Sequence, residues 1–148
     1  MQFTDSALVP LFREEFEWCN VKPNESVAIL TEADSRTQYA EVAQSALATL
    51  GARPIQIMLP SQSDNEDGIP SINRGTASTV LDHFPEVTEL LKGVDFVVDL
   101  LVGALLHAKQ RAEILGSGTR TLRIAEPPDA LARLIPTEER RQRIARAL

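Results

Sequence analysis

Histidine is the side chain that changes charge most readily near neutral pH, and this 148-residue chain has two, His83 and His107. His107 ends an apolar run, Leu100 to Leu106, that contains Gly103 and Ala104. A neutral imidazole beside apolar walls can take a proton near pH 7. A histidine at a helix start can equally be a capping or hydrogen-bonded group, and residue chemistry alone leaves both readings open. His83 precedes Phe84-Pro85 at a helix end and reads as a surface or packing residue. The single cysteine, Cys19, follows Phe16 on the apolar side of a probable helix and reads as a buried structural thiol, since nothing electropositive is in view to activate it.

These residues do not make a metal site. Three or four ligands at workable spacing are normally required. The two histidines stand in different elements, and neither belongs to a His-x-x-x-His pattern; Cys19 has no Cys-x-x-Cys partner. No metal ligand is therefore assigned to this chain. No G-x-S-x-G elbow is present for a serine nucleophile.

The elements that would position chemistry can be placed from pattern. Leu8, Leu11, Phe12, Phe16 and Cys19 recur at helical spacing, with Thr4 or Asp5 as cap, and predict a helix to about Asn20. Ser26–Thr31 is a nearly continuous apolar run that reads as a buried parallel strand. A helix from Thr37 to Leu50, closed by Gly51, leads to a second strand, Pro54–Leu59. That βαβ unit requires a parallel sheet with a right-handed crossover. Pro60–Gly75 is a long polar loop. Helical turns over Thr76–His83 and Pro85–Leu91, a third strand Val94–Leu100, a helix Ala108–Leu115 and a fourth strand Thr119–Ile124 follow, with further helices after Pro128 and Thr137. The alternation predicts one α/β domain: a Rossmann-like open parallel sheet of about four strands with helices on both faces.

Ligands in such sheets bind outside the carboxyl ends of the strands. The candidates are Thr31, Glu32, Asp34, Ser35 and Arg36 after the first strand. Asp99 and the loop to Leu106 and His107 follow the third strand, and Glu126 and Pro127 the fourth. The first of these turns, Thr31-Glu32-Ala33-Asp34-Ser35-Arg36, has no glycine and carries two carboxylates, so it would repel a pyrophosphate; dinucleotide and P-loop chemistry are excluded.

Composition excludes other classes. The net charge of −6 argues against nucleic acid as a partner. Arg140, Arg141, Arg143 and Arg146, with Glu138 and Glu139 before them, read as a solvated helix face. No stretch approaches a membrane span, and the N-terminus has no basic, apolar leader. A cytoplasmic location is expected, with no membrane partner.

The segments Val97-Val98-Asp99, Leu105-Leu106-His107, Glu113-Ile114-Leu115, Gly118-Thr119-Arg120, Ala125-Glu126-Pro127-Pro128, Leu131-Ala132-Arg133-Leu134 and Pro136-Thr137-Glu138 occur in order. As a set this series resembles the N-terminal domain of 2,5-dihydroxypyridine 5,6-dioxygenases, densest from Val94 to Glu138, weaker from Ser26 to Pro60 and poor over Pro60–Gly75. Those are non-haem iron(II) enzymes that open the pyridine ring in nicotinate and nicotine degradation, with a fold similar to thermophilic metallo-aminopeptidases. The resemblance implies that His107 is the catalytic base toward the substrate hydroxyl and that Leu106 packs on the ring. It also implies a small aromatic N-heterocycle and dioxygen as substrates. The Fe(2+) would be held by residues of the protein's own C-terminal domain, beyond Leu148, and not by this chain alone. A homo-oligomer is expected, of unspecified order. Two other readings stand beside it: the equivalent domain of a metallo-aminopeptidase, and a non-catalytic binding or oligomerisation module.

Overall fold

A strand buried on both faces needs cover from two sides, and the chain supplies it in order. The computed structural model describes residues 5–33, 35, 37–60, 79–103, 105 and 108–125. Helix α1 (Asp5–Trp18) leads to strand β1 (Ser26–Glu32), helix α2 (Thr37–Thr49) and strand β2 (Arg53–Leu59). A 3-10 turn (Val80–His83) precedes helix α3 (Pro85–Gly93), strand β3 (Phe96–Asp99), helix α4 (Arg111–Gly116) and strand β4 (Arg120–Arg123). The four strands form one parallel sheet in the order β2-β1-β3-β4. The open parallel α/β sheet expected from pattern is what the chain forms.

Side chains alternate along a strand, so each buried strand feeds two cores. Val27 and Ile29 of β1, with Phe96 and Val98 of β3, face α1 and α2 and join Leu8, Phe12, Phe16, Tyr39 and Val42. Ala28, Leu30 and Val97 face the other side, against Leu81, Leu91 and Ile114. On the first face the rings of Phe12 and Tyr39 meet edge to face at 5.4 Å, and those of Phe16 and Phe96 at 6.2 Å.

The helices on that face stop for local reasons. Gly51, at φ 78°, closes α2: its N–H bonds to Ala48 C=O at 3.0 Å while Ala52 N–H bonds to Leu47 C=O at 3.1 Å. This pair of bonds is the Schellman cap, and the left-handed residue in it is usually glycine. A Cβ at Gly51 would also meet Pro23 Cβ at 3.3 Å. Asn20, at φ 60°, ends α1 with the same bond pattern, from Asn20 to Glu17 and from Val21 to Phe16.

Element ends shift by a residue or two from their sequence reading, β2 starting at Arg53 and β4 covering Arg120–Arg123, and three shifts bear on the site. Strand β1 runs one residue further, to Glu32, because it stays paired with Leu59. Strand β3 is shorter than Val94–Leu100. Asp95 at its start caps Ser26, its carboxylate accepting from Ser26 N–H (2.9 Å), and beyond Leu100 the backbone is bonded by side chains instead of a strand. Helix α4 starts at Arg111 and not at Ala108, since Ala108–Gln110 form a turn closed by Arg111 N–H on Ala108 C=O (3.1 Å). Thr4, the polar loop from residue 61 to Gly75, and the segments after Pro128 and Thr137, with Arg140, Arg141, Arg143 and Arg146, lie outside the described residues. Among the described residues no helix is long and apolar enough to cross a membrane.

Candidate functional site

The chain leaves β1 toward β2 on one side, and β3 lies on the other. The topological switch point is therefore between β1 and β3, and in open parallel sheets ligands gather at the carboxyl side of that point. Glu32 ends β1 there and Asp99 ends β3. Both are 2% exposed, which is rare for carboxylates and demands partners.

Their partners lie on one loop. After β3 the chain runs from Leu100 to Leu105 across the mouth of the switch. Asp99 Oδ1 accepts the N–H of Leu101 (3.0 Å) and Oδ2 that of Leu105 (3.1 Å). Glu32 Oε1, from the neighbouring strand, accepts the N–H of Val102 (2.8 Å). Ser35 Oγ accepts Glu32 N–H (2.8 Å) and donates to Leu100 C=O (2.6 Å), tying the loop after β1 to the loop after β3. Arg123, at the end of β4 and in register with Asp99, donates from Nη1 to Leu101 C=O (2.9 Å) and from Nη2 to Val102 C=O (3.4 Å). Its Nη1 also lies 3.4 Å from Asp99 Oδ2. Burial pushes the Asp99 carboxyl above its ordinary value, against the pull of Arg123 and the two amides.

Thr31 is buried and donates to Ile57 C=O (3.0 Å), so it joins β1 to β2 instead of facing a ligand. Asp34, Arg36, Glu126 and Pro127 lie outside the described residues, as do Leu106 and His107. The backbone that flanks the Leu106–His107 pair is described. Leu105 is anchored to Asp99, and Ala108 N–H donates to Leu105 C=O (2.9 Å). His83 is exposed on the 3-10 turn. Cys19 is half-buried against the first core, and burial pushes its thiol up, away from the reactive thiolate. The residue that sequence reasoning missed is Arg123. The available signal was a charged residue near the carboxyl end of the fourth predicted strand.

The described residues do not fit an iron site. The oxygens of Asp99 and Oε1 of Glu32 already accept backbone amides. Among the described residues no three His, Cys, Asp or Glu side chains are grouped to hold a metal. A second charged grouping, Asp82 of the 3-10 turn with Lys109 and Gln110 of the turn before α4, and Lys92 and Glu89 of α3 with Glu113 of α4, reads as solvated surface.

Over residues 7–148 the chain matches the family model described as 2,5-dihydroxypyridine 5,6-dioxygenase. A curated protein of that description from Pseudomonas putida (strain KT2440) is 29% identical over 147 residues, which is 99% of this chain and 41% of the relative. The solved structure of 2,5-dihydroxypyridine dioxygenase from Pseudomonas putida KT2440 gives a TM-score of 0.83 at 28% identity, covering 99% of this chain and 42% of that one. The chain thus spans about two fifths of the length of these relatives.

Proposed function

This chain belongs to the 2,5-dihydroxypyridine 5,6-dioxygenase family, and from that premise we propose that it is the substrate-facing, N-terminal domain of a ring-opening dioxygenase. The substrate is 2,5-dihydroxypyridine or a close N-heterocycle, and the second substrate is dioxygen. Iron(II) and its ligands belong to a C-terminal domain, and no step of the reaction is assigned to the metal through residues of this chain. The enzyme is cytoplasmic and works as a homo-oligomer.

Two residues act on the substrate. Leu106 packs on the ring, and His107 accepts the proton of the 5-hydroxyl, which leaves the ring electron-rich. A positioned base of this kind contributes roughly 10²- to 10⁴-fold. The family match over residues 7–148 carries this reading. The clamped loop supports it, because the segment that precedes Leu106 and His107 in the chain starts at the edge where parallel sheets bind ligands.

The test is oxygen uptake by the complete gene product loaded with iron(II) and given 2,5-dihydroxypyridine. Stoichiometric uptake with ring opening is expected, and His107→Ala should lower kcat by about 10²-fold or more. Absence of uptake would remove the dioxygenase reading. Full activity in His107→Ala would remove the base.

A further inference from the structure

We propose that Glu32 and Arg123 are positioning residues for this reaction: they hold the Leu100–Leu105 loop in the one backbone geometry from which Leu106 and His107 meet the substrate. The proposal rests on the dioxygenase reading above.

Buried charges are a poor means of merely stabilising a loop. A buried ion pair is often no better for stability than apolar residues of the same shape. Yet Glu32, Asp99 and Arg123 all end on the same short segment. Together with Ser35, they engage the carbonyls of Leu100, Leu101 and Val102 and the amides of Leu101, Val102 and Leu105. What such a set adds is a single conformation.

The residue types fit that task. The guanidinium of Arg123 is a rigid planar fork, so two carbonyls and one carboxylate can share it, which a lysine ammonium on a flexible stem does not reproduce. Glu32 comes from β1, seventy positions before Val102 in the chain, and so fixes the loop relative to the switch point and not only to its own strand. The last anchor, Leu105, is two residues from His107. With so short a chain separation, the proposal has the anchor set the position of the base, and a misplacement of about 1 Å at a reacting group can cost roughly 10²-fold in rate.

The experiment compares Glu32→Ala, Glu32→Gln and Arg123→Lys in the complete gene product. Amide exchange at Leu101, Val102 and Leu105 is measured alongside kcat, KM and the pH profile for 2,5-dihydroxypyridine. Glu32→Gln keeps an acceptor for Val102 N–H while it removes the charge and turns the second oxygen into a donor.

In Glu32→Ala the Val102 amide should exchange about tenfold faster or more while the amides of β1 and β3 stay protected. In both Glu32→Ala and Arg123→Lys kcat should fall roughly 10²-fold. KM should change little, and the acid limb of the pH profile should keep its midpoint. Glu32→Gln should restore slow exchange and most of kcat. The proposal is overturned if exchange at Val102 is unchanged in Glu32→Ala, or if the loop loosens and kcat does not fall. It is also overturned if kcat falls only in step with a global loss of protection. An inactive wild-type enzyme would instead overturn the dioxygenase reading, and with it any role of these residues in that reaction.

Discussion

Arg120 and Arg123 both lie on β4 and serve opposite edges of the same sheet. At the amino edge Arg120 forks onto Glu25, at 2.8 and 3.2 Å, reaches Asn20 C=O at 3.3 Å, and lies over the Phe96 ring at 5.6 Å. Its side chain is 41% exposed. At the carboxyl edge Arg123 sits with the buried Asp99 and spends its donors on the backbone of a loop. The amino edge is also held by main chain, with Asn24 N–H on Gly51 C=O and Arg53 N–H on Glu25 C=O, both 2.8 Å, and by carboxylates, Asp95 accepting from Ser26 N–H (2.9 Å) and Glu25 from Lys22 N–H (2.8 Å). One edge is thus pinned by main-chain bonds and by carboxylates that are exposed or half-buried. The other depends on buried charge. An edge that merely ends elements can use water-accessible bonds; an edge that must present a defined loop cannot.

The largest expected effect breaks the carboxyl edge outright. Asp99→Ala strips the amides of Leu101 and Leu105 of their acceptor and leaves the half-buried Arg123 without its carboxylate. Removing one partner of a buried pair costs about 3–5 kcal/mol. Urea unfolding should show a loss of that order, and a loss below about 1 kcal/mol would mean the two edges are not different in kind.

A smaller effect, of opposite pH dependence at the two edges, sharpens the contrast. The Arg120 guanidinium holds the Glu25 carboxyl below its ordinary value of 4.5, so its contribution is full above that value and is lost as pH falls through the lowered folded-state pKa. Burial raises the Asp99 carboxyl above 3.8, so its contribution is full below that value and is lost as pH rises through the raised folded-state pKa. Glu25→Gln should cost about 0.5 kcal/mol at neutral pH, shrinking toward acid and in high salt. Asp99→Asn should cost more at acid pH than at neutral pH. Urea midpoints measured between pH 3 and pH 7, roughly the range over which carboxylates titrate, check both slopes. Parallel slopes would contradict the assignment.

Much of this architecture was legible in residue pattern. The apolar run of β1 announced a strand covered on both faces, and Gly51 marked the end of α2 because few other residues accept its backbone conformation. The carboxyl-edge candidates Glu32, Ser35 and Asp99 followed from the rule on parallel sheets. Their actual partners did not, because each contact joins positions far apart in the chain: Glu32 to Val102, Ser35 to Leu100, Asp99 to Arg123. Arg123 escaped notice because alternation along a short strand does not say which end is buried against a neighbour's carboxylate. Thr31 looked like a ligand group but is spent on Ile57 C=O, a role set by strand pairing alone.

The central claim is that the carboxyl edge is the substrate side of this domain. Amide exchange of the complete gene product, with and without 2,5-dihydroxypyridine, tests it most directly. The account predicts added protection across the segment from Leu100 to Ala108 and none from Lys22 to Ser26. Protection at the amino edge, or no change at the carboxyl edge at saturating ligand, would contradict it.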